Sequence, residues 1–245
     1  MEIWTERGQF FEKFIFGGRK GIIDKTLIFS REHLQKTNNE KEIGAHSLDH
    51  ALRVLGFTGM VCEGENWDPF LPLVTSLLID LGRNTNDPRA LGPRHGEVSS
   101  EISLPFVDDL DIGEADKRVI LEAIINHPKL NDEIQSPTFV LQAVMDGDRL
   151  ATLGPLSPMR AAATRWRLPL LNLDQLETGF QEDELKSVLQ DVAVRQMRWY
   201  ESLWTETAKK IAKPKYDFQL NYIKAVLDDV APAYEILKIL DLPLK

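Results

Sequence analysis

Ser76-Leu77-Leu78-Ile79-Asp80-Leu81-Gly82-Arg83 sets a single acid inside an aliphatic run. Leu73, Leu77 and Leu81 fall four apart, so the run reads as the buried face of a helix over 70–81 with Asp80 close to its end. A carboxylate placed there needs compensation. Desolvation costs an unpaired acid several kcal/mol, and the C-terminal end of a helix dipole adds to that cost. A metal ion or a basic partner is therefore expected at Asp80. The same helical spacing recurs outward in both directions, for example at Val119, Ala123 and Ile124. It predicts an all-α chain with helices near 8–16, 31–37, 46–57, 70–81, 95–104, 115–127, 137–151, 182–212 and 215–228. Gly17-Gly18 and Gly92-Pro93 mark turns, and 153–171, with Gly154, Pro155, Pro158 and Pro169, reads as an irregular excursion.

With 245 residues, 43% of them hydrophobic, the chain can bury a core as a single domain over 1–245. In this reading 1–44 is an N-terminal helical extension made adhesive by Trp4, Phe10, Phe11, Phe14 and Phe16, and 182–245 supplies C-terminal helices packed on the domain. Leu185, Val188, Leu189, Val192, Met197, Trp199, Tyr200, Leu203 and Trp204 read as core or as the surface of a homodimer. A net charge of −9 argues against a broad footprint on duplex nucleic acid and leaves small phosphorylated ligands as the more natural partners. Cys62 is the sole cysteine, which excludes an internal disulfide and a thiolate metal cluster and fits a reducing compartment. Met1–Arg7 lacks the pattern of a secretory signal, and no apolar run approaches the roughly 20 residues of a membrane span. The expectation is a cytoplasmic protein that does not enter a membrane.

Candidate chemistry lies in a few polar residues. His46 and His50 share a face if both are helical, and two imidazoles on one face can serve a metal. The alternative is one packed or capped histidine and one solvated. Asp146, in Val144-Met145-Asp146-Gly147-Asp148-Arg149-Leu150, repeats the setting of Asp80. Both acids either pair with Arg53, Arg83 or Arg149 or join His50 in a hard nitrogen and oxygen metal site. His95 opens a segment after Gly92-Pro93-Arg94, and Pro128 places His127 near a helix C-terminus. Arg83, Arg89 and Arg94 follow Asp80 and offer guanidinium groups to phosphate, as do Arg160, Arg165 and Arg167 in the Pro-rich excursion. Glu97 is the one candidate for a separate general base.

Taken in order, these motifs resemble the HD-domain metal-dependent phosphohydrolases, particularly the small bacterial members, from about residue 45 to residue 228. Ala45-His46-Ser47-Leu48-Asp49-His50-Ala51-Leu52-Arg53-Val54 resembles the first-histidine helix, with His50 as ligand. Ser76–Arg83 is similar to the segment that names the family, with Asp80 as its aspartate and Arg83 where lysine is frequent. His95-Gly96-Glu97 and Ile124-Ile125-Asn126-His127 resemble the intervening histidine helices of members with an enlarged metal site. Asp146-Gly147-Asp148-Arg149-Leu150 resembles the closing aspartate motif, with Asp146 as ligand, and Leu203–Ala212 a C-terminal helix. One departure stands out: Ile79 occupies the position where the family has histidine before the aspartate. The resemblance implies an HD-like helical bundle and a metal-dependent hydrolase of a phosphate ester, a nucleotide among the candidates. It implies a divalent ion, Mn, Fe, Ni, Co or Mg, held by His50, Asp80, His95, His127 and Asp146. Asp80 and Arg83 are the catalytic candidates, and one ion shifted towards His95 and His127 is the expected arrangement. The alternative reading is a non-catalytic scaffold for a nucleotide or protein partner, its hydrolysis lost with the ligand that Ile79 replaces.

Overall fold

The computed structural model describes residues 2–35, 46–181 and 185–239. Among these the secondary structure is helical, with no strand. The helices are α1 (Glu2–Phe14), α2 (Gly18–Gln35), α3 (Leu48–Glu65), α4 (Phe70–Ser76), α5 (His95–Asp108), α6 (Glu114–Asn126) and α7 (Phe139–Thr152). They continue with α8 (Ser157–Thr164), α9 (Asp174–Thr178), α10 (Val188–Gln190), α11 (Arg198–Glu201) and α12 (Glu206–Ile239). None is long and apolar enough to cross a membrane. The chain divides into two compact units, Met1–Ala151 with Ser202–Ala208, and Thr152–Glu201 with Lys209–Lys245.

The first unit is built on aliphatic burial. Val54, Phe70, Val74, Leu78, Ile79, Leu81, Ile120, Ile124 and Val144 meet in one cluster contributed by α3, α4, α6, α7 and the turn after α4. Full burial of each such side chain contributes roughly 1.5–3 kcal/mol. Ala123, Val140, Leu141 and Met145 form a second cluster between α6 and α7. Helix α7 packs tightly against α3 at Gly147, where a Cβ would stand 2.9 Å from Thr58 N. Gly96 does the same between α5 and α6: a Cβ would lie 2.6 Å from Ile125 O and 2.7 Å from Ile124 O. In the second unit, Ala161, Val188 and Val192 form a smaller apolar cluster. Beside it Gln175, Ser187 and Gln190 hydrogen-bond among themselves, and Gln219 donates to Ser157 Oγ at 2.8 Å.

Several helix ends differ from the sequence expectation. Helix 70–81 stops at Ser76 and gives way to turns and a 3-10 helix, Leu81–Asn84. Thr75 Oγ1 and Ser76 Oγ donate back to Leu71 O and Leu73 O, a competition that bends helices, and Leu78 N closes a tighter turn on Thr75 O. Asp80 therefore sits in a turn, not at a helix end. Helix α3 starts at Leu48, so His46 precedes it. The helix expected over 182–212 is replaced, within the described residues, by α10, a π-helical stretch Asp191–Gln196 and α11, ending in a break at 202–205. Conversely, α12 runs on through Pro214 and Pro232, although the sequence predicts an interruption before 215. Of the helix expected at 31–37, residues 31–35 end α2, and 36–37 lie outside the described residues, as does part of the 1–44 extension.

Candidate metal centre

Asp80 is the hub. Its backbone, at φ −106° and ψ 9°, occupies the bridge region common among active-site residues, and its side chain is almost wholly buried. Oδ1 faces one pair of imidazoles, with His95 Nε2 at 3.5 Å and His127 Nε2 at 3.8 Å. Oδ2 faces another, with His46 Nδ1 at 3.1 Å and His50 Nε2 at 3.3 Å. Burial opposes ionisation of Asp80, yet the imidazoles around it, His46 foremost, hold its carboxyl well below the usual 3.8. Two trios of potential ligands result, His46 with His50 and Asp80, and Asp80 with His95 and His127, each with its ligand atoms within 4.8 Å of one another.

The pair His95 and His127 has a geometry that ordinary hydrogen bonding does not explain. His95 is the first residue of α5 and His127 caps the end of α6, and Gly96 lets those helices touch. His95 Nδ1 lies 2.8 Å from Gly92 O, and His127 Nδ1 lies 2.7 Å from Ile124 O. A carbonyl only accepts, so each Nδ1 carries the proton and each Nε2 presents a lone pair. Those two Nε2 atoms face each other at 2.9 Å, beside the Asp80 carboxylate. Three electron-rich atoms converge on one point, an arrangement that a shared cation satisfies. Burial, reinforced by the neighbouring His127, lowers the pKa of His95 from 6.5 to about 3, which keeps the ring neutral and ready to ligate. Fixing a ring through its second nitrogen is how proteins orient metal-binding histidines.

His50, 1% exposed in the first turn of α3, also reaches Asp148 Oδ1 at 3.1 Å. The structure thus brings His50, Asp80, His95 and His127 together, but it does not bring Asp146. Asp146 Oδ1 accepts from Trp204 N–H at 2.8 Å, and Oδ2 accepts from Thr205 N–H at 2.9 Å and Thr205 Oγ1 at 2.8 Å. Successive positions on a helix do not share a face, and two residues along α7 it is Asp148 that points at His50. The acid expected as a ligand from the closing motif therefore ties the segment before α12, and Asp148 takes its place beside the histidines. Burial raises the Asp146 pKa above 3.8, while the same segment's donors work the other way.

Ile79 is buried in the aliphatic cluster and offers nothing to the site. Arg83 stands with Nε 3.8 Å from Asp80 Oδ1 and donates from Nη1 to Ala90 O at 3.4 Å. Arg89 and Arg94 are engaged by acids: Arg89 by Asp87 and Glu101 at 2.7 Å each, Arg94 by Glu97 at 2.7 Å. Glu97, held below its ordinary pKa by Arg94, is thus a surface ion-pair partner and not placed as a base. In the excursion, Arg160 donates to Thr152 Oγ1, Arg165 pairs with Asp191 and Arg167 stacks over Trp166, so these three form no common anion clamp.

No protein-family model and no curated protein matches the chain. Solved structures do. Bacillus subtilis YpgQ in complex with ADP is 20% identical, with a TM-score of 0.59 over 87% of this chain and 97% of that one. An HD-superfamily hydrolase from Bacillus thuringiensis is 18% identical, with a TM-score of 0.60 over 86% and 97%. A protein from Lactobacillus plantarum is 16% identical, with a TM-score of 0.67 over 89% and 99%. Together with the helical architecture, these likenesses show that the chain has the fold of the HD-superfamily hydrolases.

Proposed function

We propose that this protein is a metal-dependent phosphohydrolase whose centre is the Asp80, His95 and His127 cluster, with His50 and Asp148 beside it. The observation that carries the reading is the pair of opposed Nε2 lone pairs, 2.9 Å apart, next to a buried carboxylate. Mixed imidazole and carboxylate ligation suits Mn, Fe, Co or Ni better than Mg, which prefers oxygen. A bound divalent ion supplies Lewis acidity at a phosphoryl oxygen and acidity to water. Asp80 would hold it through Oδ1, while the Nδ1–H anchors of His95 and His127 keep both rings aimed without rearrangement. Arg83, within 4 Å of Asp80, would offset charge on the equatorial oxygens of the substrate. The net charge of −9 argues against a broad anion-binding surface and leaves such a local site as the place for a phosphate. The ADP held by YpgQ supports a nucleotide as the substrate class.

Ile79, buried in the core, favours a second reading in which the fold binds its ligand without hydrolysis. The two separate in one experiment. Protein stripped by chelator and reconstituted with Mn, Fe, Co, Ni or Mg is offered nucleoside mono-, di- and triphosphates and p-nitrophenyl phosphate. Phosphate release that needs the metal and falls in Asp80→Ala and Arg83→Ala supports hydrolysis. Metal binding with no release from any substrate, but saturable nucleotide binding, supports the scaffold.

A further inference from the structure

We propose that His46 is a metal ligand, and that with His50 and Asp80 it holds a second cation, separate from the one between Asp80, His95 and His127. The inference rests on the metal centre proposed above and concerns its other side. Asp80 divides its oxygens: Oδ1 towards His95 and His127, Oδ2 towards His46 Nδ1 at 3.1 Å and His50 Nε2 at 3.3 Å. One carboxylate presenting a different oxygen to each imidazole pair is arranged to serve two ions. Asp148 Oδ1, 3.1 Å from His50 Nε2, adds a fourth candidate ligand on the Oδ2 side.

His50 carries the argument against simple packing. It is 1% exposed, and its Nδ1 has no hydrogen-bond partner among the described residues. Here the polar contacts of the ring all run through Nε2 into the cluster. His46 lies ahead of α3, outside the helix, and this is why it reaches Asp80 through Nδ1 while its ring stands edge-on to His50, centroids 5.5 Å apart. The residue before Asp80, Ile79, points into the aliphatic core and can ligate nothing. His46 thus brings from another element the nitrogen that the Asp80 turn does not provide. The buried Asp80 and the partly exposed Asp148 supply the negative charge that a divalent ion neutralises.

The test is a count of ions, independent of turnover. Chelator-treated protein is titrated with Co(II), followed by calorimetry and by the visible absorption of the bound ion, and the ratio is checked by elemental analysis after gel filtration. Wild type is expected to bind two ions per chain. His46→Ala should keep the one at His95 and His127 and weaken the other more than about 100-fold, beyond the 10–100-fold that loss of an outer-shell partner causes. His95→Ala should do the reverse, with a different absorption spectrum for the ion that remains. Because His46 lies outside the helices and is partly exposed, His46→Ala should fold, and circular dichroism verifies it. Two ions retained in His46→Ala at unchanged affinity would overturn the proposal. So would a single wild-type ion that His46→Ala leaves untouched, a result under which the centre at His95 and His127 still stands. A wild type that binds no ion would overturn both.

Discussion

Asp146→Ala should cost stability and leave the metal in place. The carboxylate is fully buried and accepts three hydrogen bonds, from Trp204 N–H, Thr205 N–H and Thr205 Oγ1. Alanine removes the acceptor of two main-chain donors, Trp204 N–H and Thr205 N–H, while the Thr205 hydroxyl can turn. Each buried donor left unsatisfied costs about 1–3 kcal/mol, so the loss should be about 2–6 kcal/mol. Some of it is returned, because burial raises the Asp146 pKa and its removal relieves that desolvation. A net loss of about 3 kcal/mol corresponds to a midpoint lowered by roughly 6–12 °C for a protein of this size. Thr205 also accepts from Ala208 N–H at 3.0 Å, so the start of α12 should loosen with it. Thermal unfolding by circular dichroism measures the midpoint, and elemental analysis measures the metal. Asp148→Ala is the control, with weaker metal binding beside His50 and a smaller shift in midpoint, since Asp148 is 30% exposed. An Asp146→Ala protein that unfolds like wild type but loses its metal would refute this assignment and return Asp146 to the ligand set.

Gly96→Ala forces a methyl against Ile124 O and Ile125 O; the expected cost is about 1–3 kcal/mol, seen in denaturant unfolding, together with weaker metal binding as α5 and α6 separate. Acid should reveal Asp148. Burial raises its pKa, but the hydrogen bond from His50 prevails and brings it from 3.8 to about 2, so its contribution to stability is complete above the unfolded value and lost as pH falls through about 2. Asp148→Asn should therefore flatten the metal-free protein's stability profile between about pH 4 and pH 2, as followed by acid unfolding. Cys62, wholly buried with its thiol pushed up to about 12, should resist thiol reagents at pH 8 until the protein unfolds, as a colorimetric thiol assay reports.

The parts of the fold legible in the sequence are those where period and punctuation agree. Gly92-Pro93 precedes α5, and Pro128 follows α6, and both boundaries fall within one residue of the expectation. The run 70–81 defeats such reading because it is apolar on every side: burial all round satisfies a turn as well as a helix, and the hydroxyls of Thr75 and Ser76 decide in favour of the turn. Helix α12 defeats it in the opposite sense, continuing through Pro214 and Pro232, residues that normally interrupt a helix. In the site, Asp80 lies beside His50, His95 and His127, three histidines that the sequence separates by up to 77 positions. Asp146 and Asp148 are two apart on one helix, and nothing in their own spacing tells which faces His50; that depends on where α7 meets α3 and where residues 204–205 return. His46 was visible as the partner of His50 four residues on, but a shared helix face was the wrong reason, since it reaches Asp80 from the approach to α3.

The most direct test of a metal centre organised by Asp80 is the metal content of protein purified without chelator, wild type beside Asp80→Ala. Asp80 is the residue shared by both ligand trios, so its loss should strip transition metal that the wild type holds at or above one ion per chain, with the helical circular dichroism retained. Equal metal in both proteins, or none in either after incubation with manganese, iron, cobalt, nickel or magnesium, would contradict the account.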